Sequence, residues 1–129
     1  MKKRVLICDD DTDILFICSY IFEKQGCEVH TRTHCNNIIE MVKEIGPDVI
    51  LMDNWIPDSG GIVASRTIKS NEELQHIPIV YFSANNDIKA LAQEAGADAF
   101  LAKPFDLEEL EKVIEGLMDK KPETDTVKG

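Results

Sequence analysis

The side chains of this sequence that are best suited to chemistry stand directly after short apolar runs. They are the carboxylates of Asp9, Asp10 and Asp53, the hydroxyl of Ser83 and the amine of Lys103. Clustered carboxylates repel one another and raise each other's pKa values unless a cation lies among them. Oxygen ligands with open positions suit Mg²⁺, which completes its shell with water and phosphate oxygens. If these residues meet, they favour phosphoryl chemistry at a Mg²⁺ site.

One carboxylate of such a group can itself be the nucleophile and form an acyl phosphate. A lysine beside it balances the charge of a phosphoryl group, and a hydroxyl donates a hydrogen bond to it. Each residue also has a simpler interpretation when taken alone. Paired aspartates often mark a solvated loop or a helix start, and a serine after a strand often caps the next helix. These simpler interpretations lose weight if the fold brings the residues to one place.

Five short segments predict the β-strands that must position these side chains. They lie at residues 5–8, 28–31, 49–52, 79–82 and 99–101. The first, third and fourth are uninterrupted apolar runs, which predicts strands buried on both faces, as in a parallel sheet. Phe100, taken alone, is most simply predicted to be a core aromatic residue.

Apolar residues at helical spacing predict a helix after each strand. These helices lie at residues 14–22, 38–45, 62–68 and 88–95, and a last one begins at Asp106. Asp106 and Glu109 form a capping-box pattern at that start. The alternation predicts an α/β fold, a doubly wound five-stranded parallel sheet with helices on both faces. Parallel strands end at one edge, where such sheets bind ligands, so the polar residues would converge there.

Length and charge narrow the classes of function. A chain of 129 residues predicts one domain, and its 14 Lys and Arg against 24 Asp and Glu give a net charge of −10. This balance argues against direct binding to nucleic acid or to anionic lipid. No apolar run approaches the roughly 18 residues of a transmembrane span, and the first residues do not form a signal peptide. We therefore expect a cytoplasmic protein that does not bind membranes.

The cysteine spacing does not predict a disulfide framework. The cysteines are Cys8, Cys18, Cys27 and Cys35, and none forms a Cys-x-x-Cys pair, so we expect reduced thiols. Cys27, His30, His34 and Cys35 raise the question of a zinc site. Their spacing does not match the usual zinc patterns, and Cys27 and His30 would point to opposite faces of a strand. Zinc is therefore disfavoured.

Four segments resemble the receiver domain of two-component response regulators. Residues 5–11 match the family's first strand and acidic pair, and residues 53–61 match its Asp-x-x-x-Pro-x-x-x-Gly motif. Residues 77–84 match its strand that ends in Thr or Ser followed by Ala, and residues 96–105 match its last strand and Lys-Pro. Four agreeing segments across about residues 4–118 make the resemblance specific.

This resemblance implies a flavodoxin-like fold with strand order 2-1-3-4-5. It also implies a receiver domain at residues 1–119, followed at residues 120–129 by a polar tail or linker stub. Because no output domain follows residue 118, we expect either a stand-alone receiver or one cut from a longer regulator or hybrid kinase.

The resemblance also implies what each site residue does. Asp53 would be the phosphoacceptor, charged by the phosphohistidine of a sensor histidine kinase or of a histidine phosphotransfer protein. Asp10 and Asp53 would bind Mg²⁺ directly, together with the backbone carbonyl of Trp55. Asp9 would act on the metal largely through water. Lys103 would pair with the phosphoryl oxygens.

The same resemblance implies a conformational switch. Ser83 would hydrogen-bond the phosphoryl group and be drawn toward it, and Phe100 would swing inward into the vacated space. The surface of the fourth helix, fifth strand and fifth helix would then change for a downstream partner or output domain. The Lys103–Pro104 peptide bond would be cis, which an X-Pro bond can adopt.

Two other classes of function compete with this interpretation. A phosphohydrolase could use Asp53 as its nucleophile, but haloacid-dehalogenase-like enzymes place a second acid two residues later, where this chain has Trp55. A receiver-like interaction module that is never phosphorylated is the main alternative. The presence of Asp9, Asp10, Asp53, Ser83 and Lys103 together weighs against it.

Overall fold

Strands and helices alternate along the chain in the predicted order. A computed structural model describes residues 3–54, 60–83, 87–103 and 106–118. Within these ranges the strands are β1 (Arg4–Cys8), β2 (Glu28–Arg32), β3 (Val49–Asp53), β4 (Ile79–Ser83) and β5 (Ala99–Ala102). The helices are α1 (Thr12–Lys24), α2 (Ile38–Ile45), α3 (Gly60–Lys69), α4 (Ile88–Ala95) and α5 (Leu107–Met118). Each predicted strand and helix is confirmed, and only their ends differ from the prediction.

Capping side chains set two of these helix ends. Helix α1 begins earlier than the apolar pattern indicates, because the Asp11 carboxylate accepts the N–H groups of Asp13 at 2.9 Å and of Ile14 at 3.4 Å. The predicted capping box of α5 is confirmed. Asp106 accepts the N–H of Glu109 at 2.8 Å, and Glu109 accepts the N–H of Asp106 at 3.1 Å. These bonds satisfy donors that a helix start leaves unpaired.

The strands form one parallel sheet in the order β2-β1-β3-β4-β5. Strand β2 lies on one side of β1, and strand β3 lies on the other side, so the direction in which strands are added to the sheet reverses after β2. This reversal makes the crevice between β1 and β3 the topological switch point, where sheets of this kind bind ligands. In the register, Cys8 lies opposite Met52, so the next residues, Asp9 after β1 and Asp53 at the end of β3, lie at the same level.

The core consists of one apolar layer on each face of the sheet. Leu6 and Ile50 point into a layer that is covered by α2, α3 and α4. Val5 and Leu51, one position along each strand, point into a layer that is covered by α1 and α5. This alternation explains the uninterrupted apolar runs, because both faces of a central strand are buried. Strand β2 lies at an edge and is only half-buried throughout, which explains its weaker pattern.

No helix in the described part of the chain has both the length and the apolar character that a bilayer span requires. All four cysteines are free thiols.

Candidate functional site

Three carboxylates meet at the carboxyl ends of β1 and β3. One oxygen from each of Asp9, Asp10 and Asp53 lies within 4.8 Å of the others. Asp9 and Asp53 are buried, with 0% and 2% of their surface exposed, whereas Asp10 is open to solvent. The cluster therefore has two buried oxygen donors and one accessible side.

Lys103 joins the two buried carboxylates. Its ammonium donates to Asp9 Oδ2 at 2.9 Å and to Asp53 Oδ1 at 2.8 Å. The ammonium also lies 4.8 Å from the centre of the Phe82 ring, an attractive cation–π position. The backbone N–H of Lys103 donates to the carbonyl of Ser83 at 2.9 Å and so continues the β4–β5 ladder past its end. The backbone thus aims the amine into the crevice.

Burial and hydrogen bonding act against each other on these charges. Burial raises the pKa of Asp9, and the hydrogen bonds from the Asp11 N–H and from Lys103 offset only part of that rise. Burial alone would lower the pKa of Lys103, but its hydrogen bonds to Asp53 and Asp9 outweigh burial and raise it. Lys103 therefore stays charged at neutral pH, and the ionised Asp9 is not fully compensated.

Ser83 is the last residue of β4 and is 1% exposed. Asp53 lies opposite Phe82 in the register, so Ser83 lies one position further along the same edge of the sheet. The structure therefore brings the hydroxyl to the edge that carries the carboxylates and the ammonium.

Phe100 is not a core residue. Its surface is 43% exposed, so the simple prediction of a core aromatic is wrong. The reason is its position, because β5 is an edge strand in which Leu101 is the one buried residue. Phe100 lies opposite the buried Tyr81 in the register, yet its ring remains at the surface.

The sequence can be compared directly with the model of the family that this arrangement of side chains indicates. A family model for the response regulator receiver domain matches residues 5–115. This chain belongs to the response regulator receiver family. It is therefore a signalling domain of two-component systems, and no family of enzymes is indicated.

Curated relatives of this receiver domain are much longer proteins. Regulatory protein AtoC of Escherichia coli is 31% identical over 115 residues, which cover 88% of this chain and 24% of that protein. The CAI-1 autoinducer sensor kinase/phosphatase CqsS of Vibrio cholerae is 32% identical over 108 residues, which cover 81% of this chain and 16% of that protein. The chain thus spans less than a quarter of the length of either relative.

Solved structures share the fold of this receiver domain. The receiver domain of sensor histidine kinase PA1611 from Pseudomonas aeruginosa, with a magnesium ion coordinated in its active site cleft, superposes with a TM-score of 0.84 at 23% identity. That match covers 93% of this chain and 100% of the other. Chemotaxis protein CheY4 of Vibrio cholerae superposes with a TM-score of 0.81 at 24% identity, covering 91% and 99%.

Three predictions for this receiver domain lie outside the described residues. They are the backbone carbonyl of Trp55, expected to bind Mg²⁺, the cis peptide bond between Lys103 and Pro104, and the polar tail or linker at residues 120–129. Within the described residues, the His, Cys, Asp and Glu side chains that could together hold a metal are the three aspartates at the strand ends. Among the residues that the structure describes, no such metal-binding group is formed by Cys27, His30, His34 and Cys35.

Two contacts beside Asp53 were not predicted from the sequence. The buried Tyr81 hydroxyl donates to the side-chain carbonyl of Asn54, the residue after Asp53. Burial, together with the charge of Asp53, raises the pKa of Tyr81 to about 12, so the phenol remains a donor. Tyr81 lies within an apolar strand run, so the pattern alone gave no sign of this role.

The second contact is the close approach of α3 to β3. A Cβ at Gly61 would lie 2.1 Å from the carbonyl oxygen of Asp53, a distance that real atoms do not adopt. The N–H of Gly61 donates to the carbonyl of Asn54 at 3.2 Å. The Gly60-Gly61 pair was a sequence signal from which this approach could have been predicted.

Proposed function

We propose that this receiver domain accepts a phosphoryl group on Asp53 from a phosphohistidine, and that the modified domain controls a downstream partner or output domain. The donor is a sensor histidine kinase or a histidine phosphotransfer protein. The observation that carries the proposal is the ammonium of Lys103, which lies within hydrogen-bond distance of the Asp9 and Asp53 carboxylates. A cation held there meets the charge that a phosphoryl group on Asp53 would bring.

The transfer requires little of the protein beyond positioning and charge neutralisation. A carboxylate oxygen of Asp53 attacks phosphorus, the bond from phosphorus to the donor's histidine nitrogen breaks, and the electron pair of that bond stays on the nitrogen. Lys103 then pairs with the phosphoryl oxygens, and the hydroxyl of Ser83 donates a hydrogen bond to one of them. Because Asp53 is 2% exposed, the new acyl phosphate is shielded from water on its protein side.

The acidic cluster fits a magnesium ion. Its three carboxylates offer hard oxygen ligands within 4.8 Å of one another, and Asp10 leaves one side open to water and phosphate oxygens. We infer that Asp10, Asp53 and the Trp55 carbonyl bind Mg²⁺ directly and that Asp9 acts through water. When bound, the ion neutralises charge on the transferred group.

The output is a change in the surface formed by α4, β5 and α5. Ser83 moves toward the phosphoryl group, and Phe100 turns inward from its exposed position. The 43% exposure of Phe100 supports this, because a ring already in the core would have no such movement to make. One modification thereby shifts the balance between two conformations of the domain. We assign the receiver domain to residues 1–119 and a polar tail or linker to residues 120–129.

The test is the intact mass of the protein after incubation with acetyl phosphate, in Mg²⁺ and in EDTA. We expect the mass of one phosphoryl group to be gained in Mg²⁺ alone. Asp53→Asn should lose this gain, whereas Asp13→Asn, which changes an exposed aspartate of α1, should keep it.

Equal labelling of Asp53→Asn would overturn the choice of acceptor. If neither acetyl phosphate nor a panel of phosphorylated histidine kinases labels the folded wild-type protein, the chain is an interaction module that is not phosphorylated.

A further inference from the structure

Three sulfur atoms meet directly beneath the acidic site. Cys8 and Met52 precede Asp9 and Asp53 on β1 and β3 and lie opposite each other in the register. The Cys35 thiol donates to the Met52 sulfur at 3.7 Å, and Cys8, which lies opposite Met52, is close enough to Cys35 for each thiol to shift the pKa of the other. All three side chains are at most 3% exposed and belong to the same core layer.

The two thiols lie in different kinds of backbone, one in a strand and the other in a connection. Cys8 ends a central strand that is paired on both sides. Cys35 lies in the connection between β2 and α2, where Asn37 adopts a left-handed backbone with φ of 53°. A disulfide requires the sulfurs to approach to about 2.05 Å. Because Cys8 is held in a paired strand, this approach requires movement of the connection that carries Cys35.

Cys35 also has a route to solvent. It lines an open cleft of about 690 Å³ between α2 and α3, together with residues such as Asn36 and Thr67. Cys35 is 3% exposed and lines this cleft, whereas Cys8 is 0% exposed, so a small, uncharged oxidant in the cleft meets the Cys35 sulfur first. The neighbouring Cys8 lowers the pKa of the Cys35 thiol, although burial opposes that shift, and a lower pKa favours the reactive thiolate.

We propose that Cys8 and Cys35 form a reversible disulfide when the protein meets a small hydroperoxide. In the first step, the Cys35 sulfur attacks the terminal peroxide oxygen, the O–O bond breaks, and Cys35 becomes a sulfenic acid while an alcohol or water leaves. In the second step, the Cys8 sulfur attacks the Cys35 sulfur, the S–O bond breaks, and water leaves with the Cys8 proton. Two thiols are oxidised and one peroxide is reduced.

Such a bond differs from the disulfides of secreted proteins. Disulfides inside cells are usually transient and redox-sensing, and a dithiol reductant reverses them. The proposal does not depend on phosphorylation of Asp53, because it concerns thiols of the unmodified domain.

The chain supplies matched controls in its other two cysteines. Cys18 is a residue of α1 that is buried in the opposite core layer, and Cys27 packs against that same layer. The sheet separates both from the layer that holds Cys8 and Cys35, so neither can replace a member of the pair in the folded protein.

The experiment treats the folded wild-type chain with hydrogen peroxide, blocks the remaining thiols with an alkylating reagent and measures intact mass. We expect the loss of two hydrogens, two alkylated thiols instead of four, and full reversal by dithiothreitol. Digestion with trypsin and Asp-N separates Cys8 from Cys18, because Asp9 lies between them. Non-reducing mapping should then link the Cys8 peptide to the Cys35 peptide. Cys35→Ala should abolish the link, and Cys18→Ala should retain it.

Other outcomes would overturn the proposal. They are oxygen addition to Met52 or to a thiol with no cross-link, a link that involves Cys18 or Cys27, and a link formed only between two chains. The mapping uses the wild-type protein, so it decides the matter even if the Cys35→Ala variant does not fold.

Discussion

At the scale of single residues, Asp9 is a buried carboxylate, and only one of its two oxygens, Oδ2, is bonded to a positively charged group. Lys103 donates to Oδ2 and the Asp11 N–H donates to Oδ1, yet burial still raises the pKa of Asp9. The folded state therefore binds the Asp9 proton more tightly than the unfolded chain does. Stability from this group is present below the unfolded pKa of about 3.9 and is lost as pH rises through the folded pKa.

The raised pKa of Asp9 predicts how neutralising this residue changes stability. In EDTA, Asp9→Asn should raise the free energy of unfolding at pH 7 and have little effect near pH 3, where wild-type Asp9 is protonated. Urea unfolding across this range measures the difference. Asp13→Asn, at an exposed position, should show no such gain. A loss of stability in Asp9→Asn at pH 7 would mean that the bond to Lys103 outweighs the cost of burial.

At the scale of elements, the approach of α3 to β3 depends on the missing side chain at Gly61. An added methyl group would meet the Asp53 carbonyl at 2.1 Å, and backbone cannot move aside as a flexible side chain can. The end of β3 and the start of α3 would have to separate, and the acceptor carboxylate would move with them.

We expect Gly61→Ala to lower the free energy of unfolding by about 1–3 kcal/mol, the usual cost of overpacking. Gly116→Ala is the matched control, because a Cβ there meets nothing within 4 Å and the residue lies within α5. That control should raise stability by about 0.5–1 kcal/mol. Chemical denaturation of both variants tests the pair, and equal effects would contradict the packing account.

The elements also show what the sequence could and could not predict. The uninterrupted apolar runs predicted the three central strands, because these strands are buried on both faces, and the polar residues that follow each run marked the strand ends. Strand order did not follow from that pattern, since apolar residues do not specify their neighbour. The order came from the family resemblance and is confirmed.

The sequence could not predict side-chain positions that depend on the assembled sheet. The prediction that Phe100 is a core residue was wrong, because aromatic character does not reveal that its strand lies at an edge of the sheet. The contact of Cys8 with Cys35 and the bond from Tyr81 to Asn54 join residues on different elements. No local spacing could have indicated either of them. The roles of Asp53, Ser83 and Lys103 in phosphoryl transfer remain predictions.

At the scale of the whole molecule, a net charge of −10 is concentrated in part at the acidic site. Ions can stabilise such a protein in two ways, by screening its charge generally or by binding the aspartate cluster. A specific site adds RT ln(1 + [Mg²⁺]/Kd), about 1.4 kcal/mol at ten times Kd. Screening depends on ionic strength and not on which ion is present.

Mg²⁺ should therefore raise the unfolding free energy beyond the effect of NaCl at equal ionic strength. Asp10→Asn should reduce the excess, because it removes the exposed carboxylate of the cluster. Thermal or urea unfolding in the two salts measures it. Equal stabilisation by both salts would contradict a Mg²⁺ site at these residues.

The central claim is that Asp53, and neither Asp9 nor Asp10, takes the phosphoryl group. Hydroxylamine converts an acyl phosphate into a hydroxamate, which marks the acceptor residue permanently. The most direct measurement is therefore tandem mass spectrometry of the protein after phosphorylation in Mg²⁺ and treatment with hydroxylamine. The account predicts a hydroxamate at Asp53 and none at Asp9 or Asp10. A hydroxamate at either of those two residues, or a phosphoryl group on a histidine, would contradict it.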